Sequence, residues 1–458
     1  MKNPTLLKYA VASGGDSAMY SYVNSFWLFY MTTVSGVPPA AAGSITAIAM
    51  VFHAVSGPFF AGISDRSRHK LGRRRPFLIF SSLPLGFILC LMFSRLPFEG
   101  SLRVVVLTVL GAAFWIAFAA FFIPHLAWGA EITTDYNERT TIRTLSFVMY
   151  AIGAVLGNTA PTAFVSEFGE ASMSEPASWQ LTTVIVAVIS AGSIMFTGIA
   201  IRERRPPYET KSLGKFSLKT LALDYWQALK LRPLRLLIYA VVAYMITNTL
   251  ITADRMYVFT FKLGYSGQTI SLIMLVFGAL GIALATPVLR LAKRFDKRAI
   301  LVVCLGVSGC SIFAMRFTDI TNLPSLTAFL CIFVVASTSY WQLIPATFYD
   351  ICEVDEYENR VKRAGTITSI LPITEAIASA VGMQILGLWL QFRGFISGAA
   401  TQTPAALDAI MDCFTIVPGI MLILAALAMF RFPITKRTFE EIKEALNERN
   451  AENERQGV

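Results

Sequence analysis

Four side chains near the start of the chain carry the chemistry of a hydroxyl-rich ligand site: Asp16, Tyr20, Asn24 and Trp27. Their spacing of four, four and three puts them on one face of a helix. A carboxylate and an amide hydrogen-bond hydroxyls, while a phenol and an indole cover apolar CH faces, and sugars offer both surfaces. The competing reading is that Asp16 caps an irregularity at Gly14-Gly15 and the aromatic residues only pack.

A second set of residues can carry a proton: His53, Glu375 and His125. His53 lies about ten residues from one end of its apolar run, and Glu375 lies at similar depth in another. Ionisable groups at mid-membrane are costly and therefore point to function. Glu375 has Pro372 one turn below it, so it could instead bond backbone freed by that proline. His125, nearer a run's end, could simply face a vestibule. Asp254-Arg255 reads as a structural or gating ion pair rather than a ligand contact. Trp115, Tyr150 and Tyr340-Trp341-Gln342 could line a cavity, although aromatic residues in spans more often pack. Between apolar runs, Asp65, Glu131, Asp135, Asp355 and Glu356 face Arg66, Arg139 and Arg363, and gating ion pairs are expected there.

Enzyme chemistry finds no footing. His53, His69 and His125 are dispersed, no nucleophile and base cluster, and the six cysteines lack metal-ligand spacing. No metal, cofactor or disulfide is expected, and the chain is read as a non-enzyme.

The elements that position these groups are membrane spans. Of 458 residues, 55% are hydrophobic and 15% charged, against roughly 25% charged in soluble domains. About 20 apolar residues cross a bilayer, and the chain offers twelve such runs. They lie near 5–33, 40–63, 76–93, 104–127, 143–165, 180–201, 235–261, 267–289, 299–317, 323–348, 365–390 and 406–430. Spans 1, 5 and 11 are the least apolar and are expected to line a polar cavity. The net charge of +10 sits in short clusters between the runs, not on a nucleic-acid-binding face. With both termini cytoplasmic, 33 of the 39 Lys and Arg residues fall on the cytoplasmic side, which the positive-inside rule favours. No signal-peptide pattern opens the chain, so the first run is expected to be retained.

The chain also repeats. Asp65 to Arg75 after span 2 has a basic counterpart, Arg290 to Arg298, after span 8. Glu131-Ile132-Thr133-Thr134-Asp135-Tyr136 after span 4 is echoed by Glu353-Val354-Asp355-Glu356-Tyr357 after span 10. This is the parallel-repeat layout of major facilitator transporters. The expected fold is an all-α membrane protein of twelve transmembrane helices in two six-helix pseudo-repeats. The expected division is 1–201, a cytoplasmic linker 202–234, 235–430, and a tail 431–458 read as a surface helix ending in disorder.

Four stretches make the chain resemble the glycoside–pentoside–hexuronide:cation symporter family, of which melibiose permease is the familiar member. They are Gly15-Asp16 with Phe29-Tyr30-Met31-Thr32, and Gly62-Ile63-Ser64-Asp65-Arg66 through Gly72-Arg73-Arg74-Arg75-Pro76. The third is Ile123-Pro124 through Glu131 to Arg139, and the fourth is Tyr349-Asp350 through Tyr357 and Lys362-Arg363-Ala364-Gly365. The resemblance implies a sugar carrier. At the family's span-2 cation site, however, the chain reads His53-Ala54-Val55-Ser56-Gly57-Pro58, so both carboxylates are gone. Phe122 stands for a span-4 aspartate and Leu126 for a tryptophan. Phe147 falls where the family has an arginine, with Arg143 one turn earlier. Glu375 sits within a residue of a missing span-11 lysine. Of the charged ligands only the span-1 aspartate remains, as Asp16.

The expected function is secondary active transport of a small polar solute (a sugar, glycoside or sugar acid) by alternating access in the cell membrane, the inner membrane if bacterial. His53 and Glu375 favour the proton as coupling ion. The alternative is a carrier of an amphipathic or lipid-like solute, or an uncoupled facilitator. Expected partners are the solute, the proton and the lipid bilayer, with no nucleic acid, and the chain is expected to be a monomer.

Overall fold

The computed structural model describes residues 4–67, 69–132, 136–202, 225–318, 320, 322–359 and 364–456. Among them there are helices and no strands. The helices are α1 (Pro4–Thr33), α2 (Pro39–Arg66), α3 (Arg75–Met92), α4 (Gly100–Glu131), α5 (Tyr136–Glu170) and α6 (Glu175–Ala200). The second set is α7 (Arg232–Lys262), α8 (Gly267–Arg294), α9 (Lys297–Met315), α10 (Leu323–Asn359), α11 (Ala364–Phe392) and α12 (Pro404–Phe430). The polar tail forms a further helix, α13 (Lys436–Gln456). Short π-helical turns, Val258–Lys262 and Asp412–Ile416, lie within α7 and α12.

Eleven of these helices are long and apolar enough to cross a membrane on their own. The twelfth, α1, has 30 residues, about 45 Å at 1.5 Å per residue. Its polar content is tolerated because most of its residues are buried by protein. Pro58, Pro84, Pro124, Pro161, Pro287, Pro345 and Pro372 lie inside helices. Membrane helices accept such positions because neighbouring groups satisfy the freed carbonyls.

By contact the chain forms two compact units. The first contains the described residues of α1–α6 with Thr252–Gly278 and Met383–Ile410. The second contains the described residues within Lys215–Ile251, Ala279–Gly382 and Met411–Val458. The division therefore runs through α7, α8, α11 and α12.

In the first unit α1 is the central helix, wedged against α5 and α6. Small residues allow the close approach. A Cβ on Gly157 would meet Ala18 O at 2.3 Å, one on Gly153 would meet Gly14 O at 2.0 Å, and one on Gly15 would meet Ser193 Oγ at 1.8 Å. At the end opposite the termini, the ends of α7 and α11 join this unit. Tyr257 Oη and Thr32 Oγ1 share a 2.6 Å hydrogen bond, and Ser397 Oγ donates to Val37 O at 2.9 Å.

In the second unit α9 packs on α12, with Gly309 against Ile423 and Gly419 against Phe313. The rings of Tyr244 and Tyr340 stack at 3.6 Å between centroids.

Candidate functional site

Asp16 is 3% exposed, yet it lines a cavity of about 400 Å³ in the first unit. Around it stand Tyr9, His125 and Arg143, with Phe122, Leu126 and Phe147 as apolar wall. No hydrogen bond to the Asp16 carboxylate occurs among the described residues. The Gly14-Gly15 stretch is continuous helix, held close to α5 and α6, and Asp16 caps nothing there. A buried carboxylate on open space, with a guanidinium and aromatic rings in the same wall, can accept hydroxyls from a ligand that covers those rings.

Phe122, Leu126 and Phe147 are three of the departures from the resembling family, and Arg143 stands one turn before Phe147. The structure brings all four to Asp16's cavity. Arg143 was visible only as an arginine one turn out of register. Its presence in the wall supplies a cation where the aligned position carries Phe147.

His125 lines the same cavity but is clamped. Its ring stacks on Tyr9 at 4.3 Å and on Phe121 at 5.3 Å. Tyr9 Oη donates to His125 O at 2.8 Å, so α1 and α4 are tied together at this point. Tyr20 and His53 form a separate group. Both rings pack on Trp115, at 5.5 and 4.7 Å, and on Phe118, at 5.9 and 5.8 Å. Asn24 Nδ2 donates to Tyr20 O at 2.9 Å within α1. Trp27 is 1% exposed and lies over Gly111 of α4, whose added Cβ would meet the indole at 2.3 Å.

Glu375, in the second unit, accepts a hydrogen bond from Tyr340 Oη at 3.0 Å. Tyr340 is thus a partner of this carboxylate, a role that its place in an aromatic run does not disclose.

The loop charges are partly brought together. Arg74, nearly fully buried, donates to Asp65 and, at 3.0 Å, to Glu131, and Arg73 donates to Glu131 at 2.6 Å. Asp65 and Glu131 are therefore joined through Arg74, with Arg73 a second partner of Glu131, and sequence reasoning passed over both arginines. Arg66 donates to Gly62 O at 3.1 Å, closing its own helix. Asp355 accepts from Asn359 Nδ2 at 2.8 Å. Asp135 and Arg363 lie outside the described residues, as does the side chain of Arg139. In the second unit Lys297 pairs with Asp350.

Asp254 and Arg255 do not form the expected ion pair. Arg255 Nη2 donates to Ser25 Oγ at 2.6 Å and to Asn158 Oδ1, while both Asp254 oxygens are buried without a partner among the described residues.

Known proteins agree with this architecture. The chain is 24% identical over 434 residues to the isoprimeverose transporter of Lactiplantibacillus pentosus, covering 93% of this chain and 88% of that one. It is 22% identical to the glucuronide carrier protein homolog of Escherichia coli (strain K12), covering 96% and 94%. Among solved structures, a bacterial homolog of the human lysosomal transporter Spinster superposes with a TM-score of 0.70 at 13% identity, covering 96% and 99%. The D-xylose–proton symporter gives 0.64 at 14% identity, covering 94% and 97%. These structures establish the major facilitator fold. Residues 8–436 match a single family along almost the whole chain, and the protein belongs to that family, the MFS/sugar transport proteins.

Proposed function

We propose that this membrane transport protein carries a sugar, glycoside or sugar acid together with a proton, by alternating access and as a monomer. The observation that carries the reading is Asp16, a buried carboxylate facing a cavity of about 400 Å³ with no protein partner among the described residues. An ionisable group so placed is explained by a ligand that hydrogen-bonds it. The names of the relatives, an isoprimeverose transporter and a glucuronide carrier homolog, support a glycoside or hexuronide as solute. Tyr20, Asn24 and Trp27 extend the solute-binding face of α1 in this reading. His53 and Glu375 serve the proton, with His125 on the cavity wall.

Sodium is disfavoured because it prefers several hard oxygen ligands, and His53 occupies a place where the resembling family has a carboxylate. Both termini lie in the cytoplasm, so the Asp65, Arg74 and Glu131 cluster, with Arg66, Asp135 and Arg139 in the same half of the chain, and separately Asp355 and Arg363 in the other half, supply cytoplasmic gating charges. Their ion pairs break and re-form as two six-helix halves, 1–201 and 235–430, rock about the linker 202–234. A second reading, an amphipathic solute, is favoured by one feature: Phe122, Leu126 and Phe147 make much of the cavity wall apolar.

The test is uptake of a labelled pentose, a hexuronide and an α-glycoside into proteoliposomes, under a pH gradient and then under a sodium gradient. Accumulation of one of them driven by the pH gradient is expected. Sodium-driven accumulation with no response to pH would overturn proton coupling. Binding of none of these sugars, with binding of an amphipathic solute, would favour the second reading. A reporter fused after Val458 is expected to be active only in the cytoplasm.

A further inference from the structure

Asp254 and Arg255 are neighbours on α7 with opposite circumstances. The Arg255 guanidinium, 6% exposed, is held by Ser25 Oγ of α1 and Asn158 Oδ1 of α5. Ser25 Oγ itself donates to Asn158 Oδ1 at 2.7 Å, so a cation is fixed by neutral oxygens alone. Asp254 is 0% exposed, and neither of its oxygens meets a donor among the described residues. Successive side chains on a helix diverge by about 100°, which keeps the two from neutralising each other directly.

Other titratable groups do not repair this. On the stretch of α1 that packs here they are Tyr22, bonded to Thr183, and Tyr30. On α5 there is none between Tyr150 and Glu167. After α11 there is Arg393. On α12, which bonds α7 through Thr247 and Pro418, there are Asp408 and Asp412, the latter paired with Arg316. On α7 itself there are Tyr257, whose hydroxyl is shared with Thr32, and Lys262. None forms an ion pair with Asp254 among the described residues.

We propose that Asp254 is a proton-binding site of this transporter, loaded when the end opposite the termini closes around Arg255. This deepens the proton-coupled reading and rests on it. An ionised carboxylate without donors is far costlier to bury than a neutral carboxyl. Arginine does not give up its proton in proteins, so the carboxyl is the group that adjusts. A proton leaves the solution on that side, forms one O–H bond on Asp254, and is released when the end reopens and water reaches the group. Closure of this end and uptake of one proton are then the same event.

The test needs no solute. In a full-length chain whose native cysteines are replaced, spin labels are placed by Glu170→Cys and Gln268→Cys, exposed positions at this end of α5 and α8. Pulsed electron spin resonance in nanodiscs reads their separation across pH. The short separation is expected at low pH, with a longer one growing as pH rises. Asp254→Asn, a fixed neutral side chain, is expected to stay short throughout, and Asp254→Glu to keep the pH response. A wild-type distance distribution insensitive to pH overturns the proposal, as does an Asp254→Asn variant that follows the wild-type curve. Should that variant not fold, infrared spectra of the labelled parent decide. The protonated carboxylic acid band must fall as the long separation grows, and a band that does not track it overturns the proposal. Loss of sugar uptake with an intact pH response at Asp254 would instead count against the transport reading.

Discussion

Asp16 and Asp254 are both buried acids without a protein hydrogen bond among the described residues, and their surroundings differ in one respect. Asp16 has a cavity of about 400 Å³ beside it. Asp254 is 0% exposed, with both oxygens closed in. An unpartnered acid on open space waits for a ligand large enough to fill that space. An unpartnered acid with no room around it can take only a proton. On the readings proposed above, Asp16 serves the solute and Asp254 the ion, and that division can be tested by exchanging the same atom for the same atom at each site.

The largest effect is expected from Asp16→Asn. The amide keeps the shape but loses the ionised acceptor, and a hydrogen bond to a charged group is worth about 1.5–3 kcal/mol. Solute affinity should fall by about 10- to 100-fold, read by titration of the purified protein. Asp254→Asn should leave that affinity within about twofold, as expected for an independent site, while abolishing accumulation under a pH gradient. Equal losses of affinity in the two variants would break the comparison.

Glu375 is an intermediate case, a half-buried acid with one partner, Tyr340 Oη at 3.0 Å. Glutamine at this position can still accept that bond, so the local structure should survive. Glu375→Gln is expected to reduce proton-driven accumulation while solute exchange continues, measured side by side in the same proteoliposomes. Tyr340→Phe removes only the donor and leaves the acid, so it should have a milder effect, about 1 kcal/mol in stability with coupling retained. If exchange fails in Glu375→Gln as well, Glu375 binds solute instead.

Much of this was legible in the sequence. Span number and position follow from runs of apolar residues, because a bilayer demands a fixed length; the expected 406–430 appears as Pro404–Phe430 and 235–261 as Arg232–Lys262. Asp16 was legible because a charge in a span is conspicuous. What could not be read was who touches whom. That Arg74, nine residues after Asp65, reaches its carboxylate is not visible from their separation in the chain. Asp254 and Arg255 look paired on paper, yet helix geometry turns Arg255 to Ser25 and Asn158. The Asp16, Tyr20, Asn24, Trp27 stripe follows from spacing, but how deeply each is packed depends on the facing helix. At Trp27 that is decided by Gly111.

Trp27 gives the smallest expected effect on solute binding and the finest test of how far the solute face of α1 extends. Its indole is 1% exposed and seated where Gly111 lets α4 approach. Its Nε1 has no hydrogen-bond partner among the described residues, so Trp27→Phe forfeits packing but no bond. Losing part of a buried ring leaves a small void whose lining loses dispersion contacts, a cost of about 1–2 kcal/mol. If the cavity beside Asp16 reaches no further along α1, the variant should melt lower than the wild type while binding solute within about twofold. If a bound solute opens a path to the indole, affinity should fall by about tenfold with the loss of a stacking face, about 1.4 kcal/mol. Thermal melts with and without solute separate the two outcomes. In the first case the stabilisation by solute is the same for both proteins, and in the second it shrinks in the variant.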